Sequence, residues 1–159
     1  MEVMMSEMDY NNSDNKAAND TICLLQECSA SCKMAIESMD EVREHVGDKQ
    51  LREIIDKYYD AHTKLRVDCR EELDRFDADE KEPNFFAKTS SSVQTKVRMK
   101  IDNDKSQAAK ILTKGCNMGI ESLSEYINEY DCADDGSMKI ADRLRDIEET
   151  MVGDLEAFL

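Results

Sequence analysis

The feature that most constrains this chain is a long apolar stripe at helical spacing over residues 51–76. Its members recur in steps of three and four with no glycine or proline between them, which is the pattern of one helix face held for about seven turns. His62 lies near the middle of the stripe, so we expect any chemistry of the protein to lie near His62. The stripe consists of Leu51, Ile55, Tyr58, His62, Leu65, Cys69, Leu73 and Phe76.

The overall composition favours a single helical domain. A length of 159 residues fits one domain, and one proline with 36% charged residues favours helix over sheet. The formal net charge of −15 argues against nucleic acid and against anionic membranes as partners, because both require clustered Lys and Arg. No apolar run approaches the ~20 residues of a membrane span.

The cysteine content indicates the compartment. We expect no secretory signal, because the first residues lack a basic segment followed by an apolar core. The six cysteines therefore predict a reducing, cytoplasmic environment. There we expect each of them to pack as a small hydrophobe.

Two parts of the chain differ in pattern. Residues 1–19 predict a disordered or loosely docked tail, because residues 11–15 are polar, turn-prone and without a helical stripe. Residues 20–159 predict the folded domain, and its first helix is expected to begin between Asn19 and Thr21. The inner face of that helix is predicted to comprise Leu24 or Leu25, Cys28, Cys32, Ala35, Ile36, Met39, Val42 and Val46.

Short and long connections set the predicted topology. Gly47 is expected to end the first helix in a left-handed conformation, and Asp48 to cap the second. This tight turn predicts an antiparallel hairpin. Residues 77–84 (DADEKEPN) then predict a solvated crossover, followed by a short helix over 85–101.

The second half predicts another hairpin. Asp104 is expected to cap a helix that runs to Tyr130. Residues 134–136 predict a turn, with Ser137 as an alternative cap for a last helix that closes the chain at Leu159. The predicted inner face of the last helix comprises Ile140 or Ala141, Leu144, Ile147, Met151, Leu155 and Phe158. That of the preceding helix comprises Ala108, Ile111, Leu112, Gly115, Met118, Gly119, Ser122, Tyr126 and Tyr130.

This order of helices resembles a bacterial ferritin-like family of unknown function. The local likeness lies in residues 111–126 (ILTKGCNMGIESLSEY) and 144–159, and residues 86–101 resemble the short helix of that family. The resemblance implies an all-α, ferritin-like antiparallel four-helix bundle of two hairpins, with a short extra helix after the crossover. It carries no established activity to transfer.

A dinuclear iron or manganese centre is the chemistry that such a bundle invites. It requires one Glu from each of two helices and a Glu-x-x-His pair from each of the other two. The chain departs from this pattern, since Tyr59 stands three residues before His62 and the last helix holds no histidine. His45, the only other histidine, lies at a helix end. We therefore expect no di-iron site, no metal and no cofactor.

A soft-metal site is the alternative that the residues leave open. In an antiparallel hairpin, Cys28, Cys32, His62 and Cys69 would lie at neighbouring levels, and three sulfurs with one imidazole suit Zn²⁺. Core packing with a hydrogen-bonded histidine is the preferred interpretation, because no Cys-x-x-Cys knuckle is present. Thiol redox chemistry is a further option, for which Cys23, in the predicted first turn, is best placed.

Several other side chains have two interpretations. Gly115 and Gly119 predict close approach of a neighbouring helix, since each weakens a helix by about 1 kcal/mol. Glu121 and Glu148 fall at one level of the second hairpin and are interpreted as solvated acids rather than ligands. Met118 is interpreted as core filler.

The sequence thus predicts a non-enzymatic bundle with a structural or protein-interaction role, either as a homo-oligomer or with a protein partner. The alternative hypothesis is a metal-binding or thiol-redox bundle that uses the cysteines around His62. A third hypothesis is a scaffold that binds a small apolar ligand near His62, for which only a cavity would argue.

Overall fold

A computed structural model describes residues 2–82 and 104–159, with side chains from residue 11 onward. This part of the chain contains four α-helices, one short 3₁₀ helix and no strand, which confirms the predicted all-α class. The predicted short helix over 85–101 lies outside the described residues. The helices are α1 (Glu2–Glu44), α2 (Lys49–Asp74), α3 (Lys105–Glu129) and α4 (Asp135–Leu155), followed by the 3₁₀ turn Glu156–Phe158.

The helices pack into one bundle. Helix α1 packs along α2, α3 packs along α4, and the two pairs meet mainly where α2 contacts α4 and where α1 contacts α3 and α4. Within the described ranges, no helix combines the length and the apolar content needed to cross a membrane.

Helix α2 follows the prediction closely. Its N-cap is Asp48, whose Oδ1 accepts a hydrogen bond from the Leu51 amide at 2.9 Å. All the predicted stripe residues from Leu51 to Leu73 are buried. Phe76 lies in the turn after the helix and is only half-buried. The uninterrupted spacing of three and four residues is sufficient to select this one buried face.

The two ends of the α1–α2 half differ from the prediction. Gly47 does not have a positive φ, so its predicted left-handed conformation is wrong. That conformation occurs instead after α2, at Asp77, where φ is 50°. The Ala78 amide donates to the Leu73 carbonyl and the Asp77 amide to the Asp74 carbonyl, both within 3.1 Å. This is a Schellman motif with aspartate in the position that glycine usually takes.

Helix α1 begins far earlier than predicted. It starts at Glu2, so the expected start between Asn19 and Thr21 is wrong. Part of the reason lies outside local sequence: Lys16 donates to Asp20 one turn away and also to Asp131, beyond the end of α3. The division into a tail over 1–19 and a bundle over 20–159 stays a prediction.

The start of the crossover is held against α1 and α2. Glu80 Oε1 accepts from Ser29 Oγ at 2.6 Å and from Arg66 Nε at 2.9 Å. Lys33 donates to Glu82 at 2.6 Å. The Arg66 guanidinium and the Ser29 hydroxyl hold the pKa of Glu80 below its usual range, although burial opposes them. The predicted solvated loop is therefore anchored at its start by ion pairs.

Two apolar clusters form the core, one on either side of His62. The Tyr58 cluster lies towards the α1–α2 turn, and the Cys28 cluster lies towards the other end of α2. The Tyr58 cluster comprises Met39, Val42, Val46, Leu51, Ile55, Tyr58, Ala108, Ala109, Leu112, Cys116, Met151 and Leu155. The Cys28 cluster comprises Leu24, Leu25, Cys28, Cys32, Leu65, Cys69, Leu73, Leu123, Ile140, Ala141 and Leu144.

Helix α3 presents a different face to the core from the one predicted. Its buried residues are Ala108, Ala109, Leu112, Cys116 and Leu123. Gly115 is exposed and Met118 is 42% exposed, so placing these two in the core is wrong. The helix carries two apolar stripes side by side, and only contact with the other helices decides which of them is buried.

Candidate functional site

The one buried histidine of the bundle is held by its own helix. His62 is 1% exposed and lies on α2 between the two apolar clusters. Its Nδ1 atom lies 2.6 Å from the carbonyl oxygen of Tyr58, one turn earlier. Because a carbonyl oxygen can only accept, Nδ1 carries a hydrogen and donates it. This bond fixes both the ring orientation and the role of the other nitrogen.

The other ring nitrogen of His62 meets a buried carboxyl group of α4. His62 Nε2 lies 2.8 Å from Glu148 Oε1, and Glu148 is 5% exposed. With Nδ1 protonated, Nε2 either donates to a carboxylate or accepts from a carboxylic acid. Both arrangements place one proton between the two atoms and make the pair neutral as a unit, which suits a buried position. We call these two residues the His62–Glu148 pair.

Helix α3 completes the surroundings of the pair. A Cβ atom at Gly119 would lie 3.6 Å from Glu148 Cδ, so the predicted close approach at Gly119 is an approach by a side chain of α4. At Gly115 nothing lies within 4 Å, and the same prediction is wrong there. Burial, followed by the charge of Glu148 and a hydrogen bond to it, raises the pKa of Cys116 far above its ordinary value.

Glu148 is the site residue that sequence reasoning missed. Its interpretation as a solvated acid is wrong, whereas Glu121 is exposed as expected. The signal was available, because Leu144, Glu148 and Met151 continue the buried spacing of α4 in steps of four and three. The neighbouring Ile147 is apolar and lies in the same helical turn, so the prediction placed Ile147 rather than Glu148 on the inner face.

The candidate metal residues fall into two groups. Cys28, Cys32 and Cys69 pack together in the Cys28 cluster. His62 points both nitrogens at other partners, so it would have to give up one hydrogen bond to join them. Metal binding by this set stays the alternative hypothesis, and it would require His62 to break its bond to the Tyr58 carbonyl or to Glu148.

The thiols of the Cys28 cluster are poor nucleophiles. Burial, together with the neighbouring Cys69, raises the pKa of Cys28 and of Cys32 well above its ordinary value. Burial raises the pKa of Cys69 to about 12. Cys23 lies well inside α1 rather than in a first turn, and burial with Asp20 and Glu27 raises its pKa too. The predicted advantage of Cys23 is therefore wrong. All six cysteines are free.

One group of potential ligands lies at the surface. Among the described residues, only Asp20, Asp131 and Cys132 bring three ligand atoms within 4.8 Å of one another. Lys16 occupies this position: its ammonium donates to both carboxylates and to the Cys132 sulfur within 3.2 Å. The hydrogen bonds from Lys16 hold the pKa of Asp20 and of Asp131 below its usual range. We call Lys16, Asp20, Asp131 and Cys132 the Lys16 cluster.

A shallow groove lies on the outer face of α3. It encloses about 450 Å³ and runs from Lys110 to Glu121, with Met118 and the C-terminal Leu159 as its apolar members. Because His62 does not line this groove, the groove does not support the hypothesis of an apolar ligand beside His62.

Comparison of the chain with protein-family models, with curated proteins and with solved structures finds no match.

Proposed function

We propose that this protein is a non-enzymatic helical scaffold with a structural or protein-interaction role, built as a ferritin-like bundle of two antiparallel hairpins without a di-iron site. The observation that carries the proposal is the His62–Glu148 pair. Its hydrogen bonds occupy both nitrogens of the only buried histidine with partners inside the protein. The polar groups at mid-bundle therefore bind one another, which favours a structural role over a reactive one.

The residues at mid-bundle do not fit the dinuclear centre that a ferritin-like fold implies. Such a centre needs two imidazoles and four carboxylates on four helices. The described layer between the clusters offers His62 and Glu148, while Gly119 stands at the same level of α3. His45 lies just after α1 ends, and the chain has no third histidine.

The proposed pair would also specify how the helices align. A buried polar contact between α2 and α4 is satisfied only when His62 and Glu148 are level. A shift of one helical turn moves a residue by about 5.4 Å and would leave both groups buried without partners. A single polar contact of this kind is an attested means of fixing helix register. The six free thiols are also typical of a reducing compartment, which supports a cytoplasmic location.

Metal analysis tests the proposal. The full chain is purified without chelator, its metal content is measured, and thermal unfolding is followed with added Fe²⁺, Mn²⁺, Zn²⁺ or EDTA. A metal that binds only the folded state would raise Tm. Since we expect no metal site, we expect substoichiometric metal and no shift in Tm.

A matched pair of variants makes the result specific. Glu148→Gln alters the pair, and Glu121→Gln changes an exposed glutamate of α3 that has no part in it. Stoichiometric iron or manganese that is lost in Glu148→Gln and kept in Glu121→Gln would overturn the proposal. Stoichiometric zinc that is lost in Cys32→Ser would favour the alternative of a metal-binding bundle.

A further inference from the structure

The outer face of α3 has an unusual order of charges. On this face the exposed Lys110 and Lys114 lie in the first half of the helix, and the exposed Glu121 and Glu125 lie in the second half. None of these four forms an ion pair with another residue of the described ranges. The face is therefore basic at one end and acidic at the other.

This charge order is unfavourable for an isolated helix. Lys110 and Lys114 are four residues apart, as are Glu121 and Glu125, and like charges at this spacing repel. This repulsion is small, about 0.2–0.5 kcal/mol per pair, and an oppositely charged surface would relieve it.

An apolar patch lies within the same face. Met118 is 42% exposed and Leu159 is 54% exposed, which makes them two of the few large hydrophobic side chains in contact with water in the described chain. Both line the groove of about 450 Å³, whose rim includes Lys110, Lys114 and Glu121. Charged side chains around a small apolar centre are the usual layout of a protein interface.

We propose that this face binds a second copy of the chain, with α3 of one copy antiparallel to α3 of the other. This inference rests on the proposed protein-interaction role and assigns a surface to that role. A second copy fits because the two halves of the α3 face have opposite charge. When two copies of α3 run antiparallel, the acidic half of each lies against the basic half of the other. A parallel pairing would set lysine against lysine and glutamate against glutamate.

The register of the pairing follows from the sequence positions. The midpoint between Lys114 and Glu121 lies between Asn117 and Met118, and the midpoint between Lys110 and Glu125 is the same point. A two-fold axis there brings Lys114 opposite Glu121 of the second copy and Lys110 opposite Glu125 of the second copy. Two-fold symmetry then makes four ion pairs, with Met118 of both copies at the centre.

The expected dimer is weak. One pair of helices buries less than the roughly 1,200 Å² of a standard interface, so we expect a dissociation constant on the order of 10 µM or weaker. The net charge of −15 on each copy also opposes association. This long-range repulsion is screened at physiological salt, where the Debye length is about 8 Å, whereas contacts inside the interface are screened less.

Charge reversal tests the proposal. The first variant carries Lys110→Glu and Lys114→Glu, and the second carries Glu121→Lys and Glu125→Lys. Sedimentation equilibrium up to roughly 200 µM should show association of the 18.2 kDa wild-type chain and a monomer for each variant alone. An equimolar mixture of the two variants should form a heterodimer, because an all-acidic face then meets an all-basic one.

The design separates loss of binding from loss of folding. Each variant exchanges one pair of like charges four residues apart for another such pair, so we expect each to melt close to the wild-type temperature. The control is Lys64→Glu with Glu71→Lys, which reverses two exposed charges of α2 at the same spacing as Lys114 and Glu121. We expect it to associate as the wild type does.

Three outcomes would overturn the inference: a wild-type chain that stays monomeric over the whole range, association that survives both reversals, or two variants that fail to pair when mixed. A monomer would leave the result of the metal analysis unaffected. The failure of this interface and the failure of the proposed scaffold role are thus distinguishable.

Discussion

Among the polar contacts that join the halves of the bundle, one in the interior and one at the surface have similar lengths but very different burial. His62 and Glu148 meet at 2.8 Å in the interior, and Lys16 meets Asp20 and Asp131 at 2.8 and 3.0 Å on the surface. The His62 side chain is 1% exposed, whereas that of Lys16 is 55% exposed. Water can replace a lost partner of Lys16, but it cannot reach His62. Equal distances therefore predict very unequal contributions to stability.

Removing the buried carboxyl is the most direct test of this comparison. Glu148→Ala should lower the free energy of unfolding by about 3–5 kcal/mol, because it leaves His62 Nε2 buried without a partner. Lys16→Ala should leave the urea midpoint unchanged, because its group is solvated. Equal shifts in the two variants, measured by urea denaturation, would show that burial is not the deciding difference.

Replacing both members of the buried pair should recover much of that loss. The double variant His62→Leu with Glu148→Leu removes the two polar groups together, and such replacements are often neutral or stabilising. We expect its free energy of unfolding to exceed that of Glu148→Ala by at least about 2 kcal/mol, measured in the same urea series. A double variant as unstable as Glu148→Ala would mean that packing volume, rather than unpaired polarity, limits stability here.

The buried and exposed thiols extend the comparison to alkaline pH. The pKa of Cys69 is raised by burial to about 12 from an ordinary value of 9.0. Below pH 9.0 the thiol keeps its proton in both states; above it the unfolded chain ionises first, and stability falls until the folded pKa is passed. Cys69 should therefore contribute a loss of up to about 1.4 kcal/mol per pH unit in this window.

Two variants isolate that contribution. Cys69→Val should flatten the decline of unfolding free energy between about pH 8 and about pH 10.5, measured with reductant present. Cys132→Ala, which removes an exposed thiol, is measured beside it as the control. An identical slope in wild type and Cys69→Val would contradict the expectation.

The two glycines of α3 give the smallest expected effect. Gly115→Ala should raise the free energy of unfolding by about 1 kcal/mol, because nothing lies within 4 Å of the added Cβ. Gly119→Ala should gain at least as much, because its Cβ would lie in ordinary van der Waals contact with Glu148, 3.6 Å from Cδ. Thermal melts of the two variants would rank them, and a lower melting temperature for Gly119→Ala than for the wild type would show that the buried pair does not tolerate the added methyl group.

The sequence-based prediction succeeded where the local pattern of apolar residues allowed only one buried helix face. The α2 stripe from Leu51 to Leu73 is unbroken, and the caps Asp48 and Asp104 each precede a clear helical pattern; all of these were predicted. It failed on α3, where the stripe through Gly115 and Met118 competes with the buried one. Neighbouring stripes on one helix have similar hydrophobicity, so only the shape of the remaining helices selects between them.

The candidate site divides in the same way. That His62 lies in the core follows from the spacing of α2, and its bond to the Tyr58 carbonyl lies within the same helix. The pairing with Glu148 joins residues 86 positions apart, so helical spacing within α2 or α4 could not reveal it.

The amino-acid sequence by itself determined the helical class, the caps and the burial of His62, because these depend on residues within a few turns of one another. Tertiary structure alone decided which face of α3 turns inward and which carboxyl group meets His62. Those outcomes depend on contacts between helices, where a difference of one residue in rotation or level exchanges a buried side chain for an exposed one.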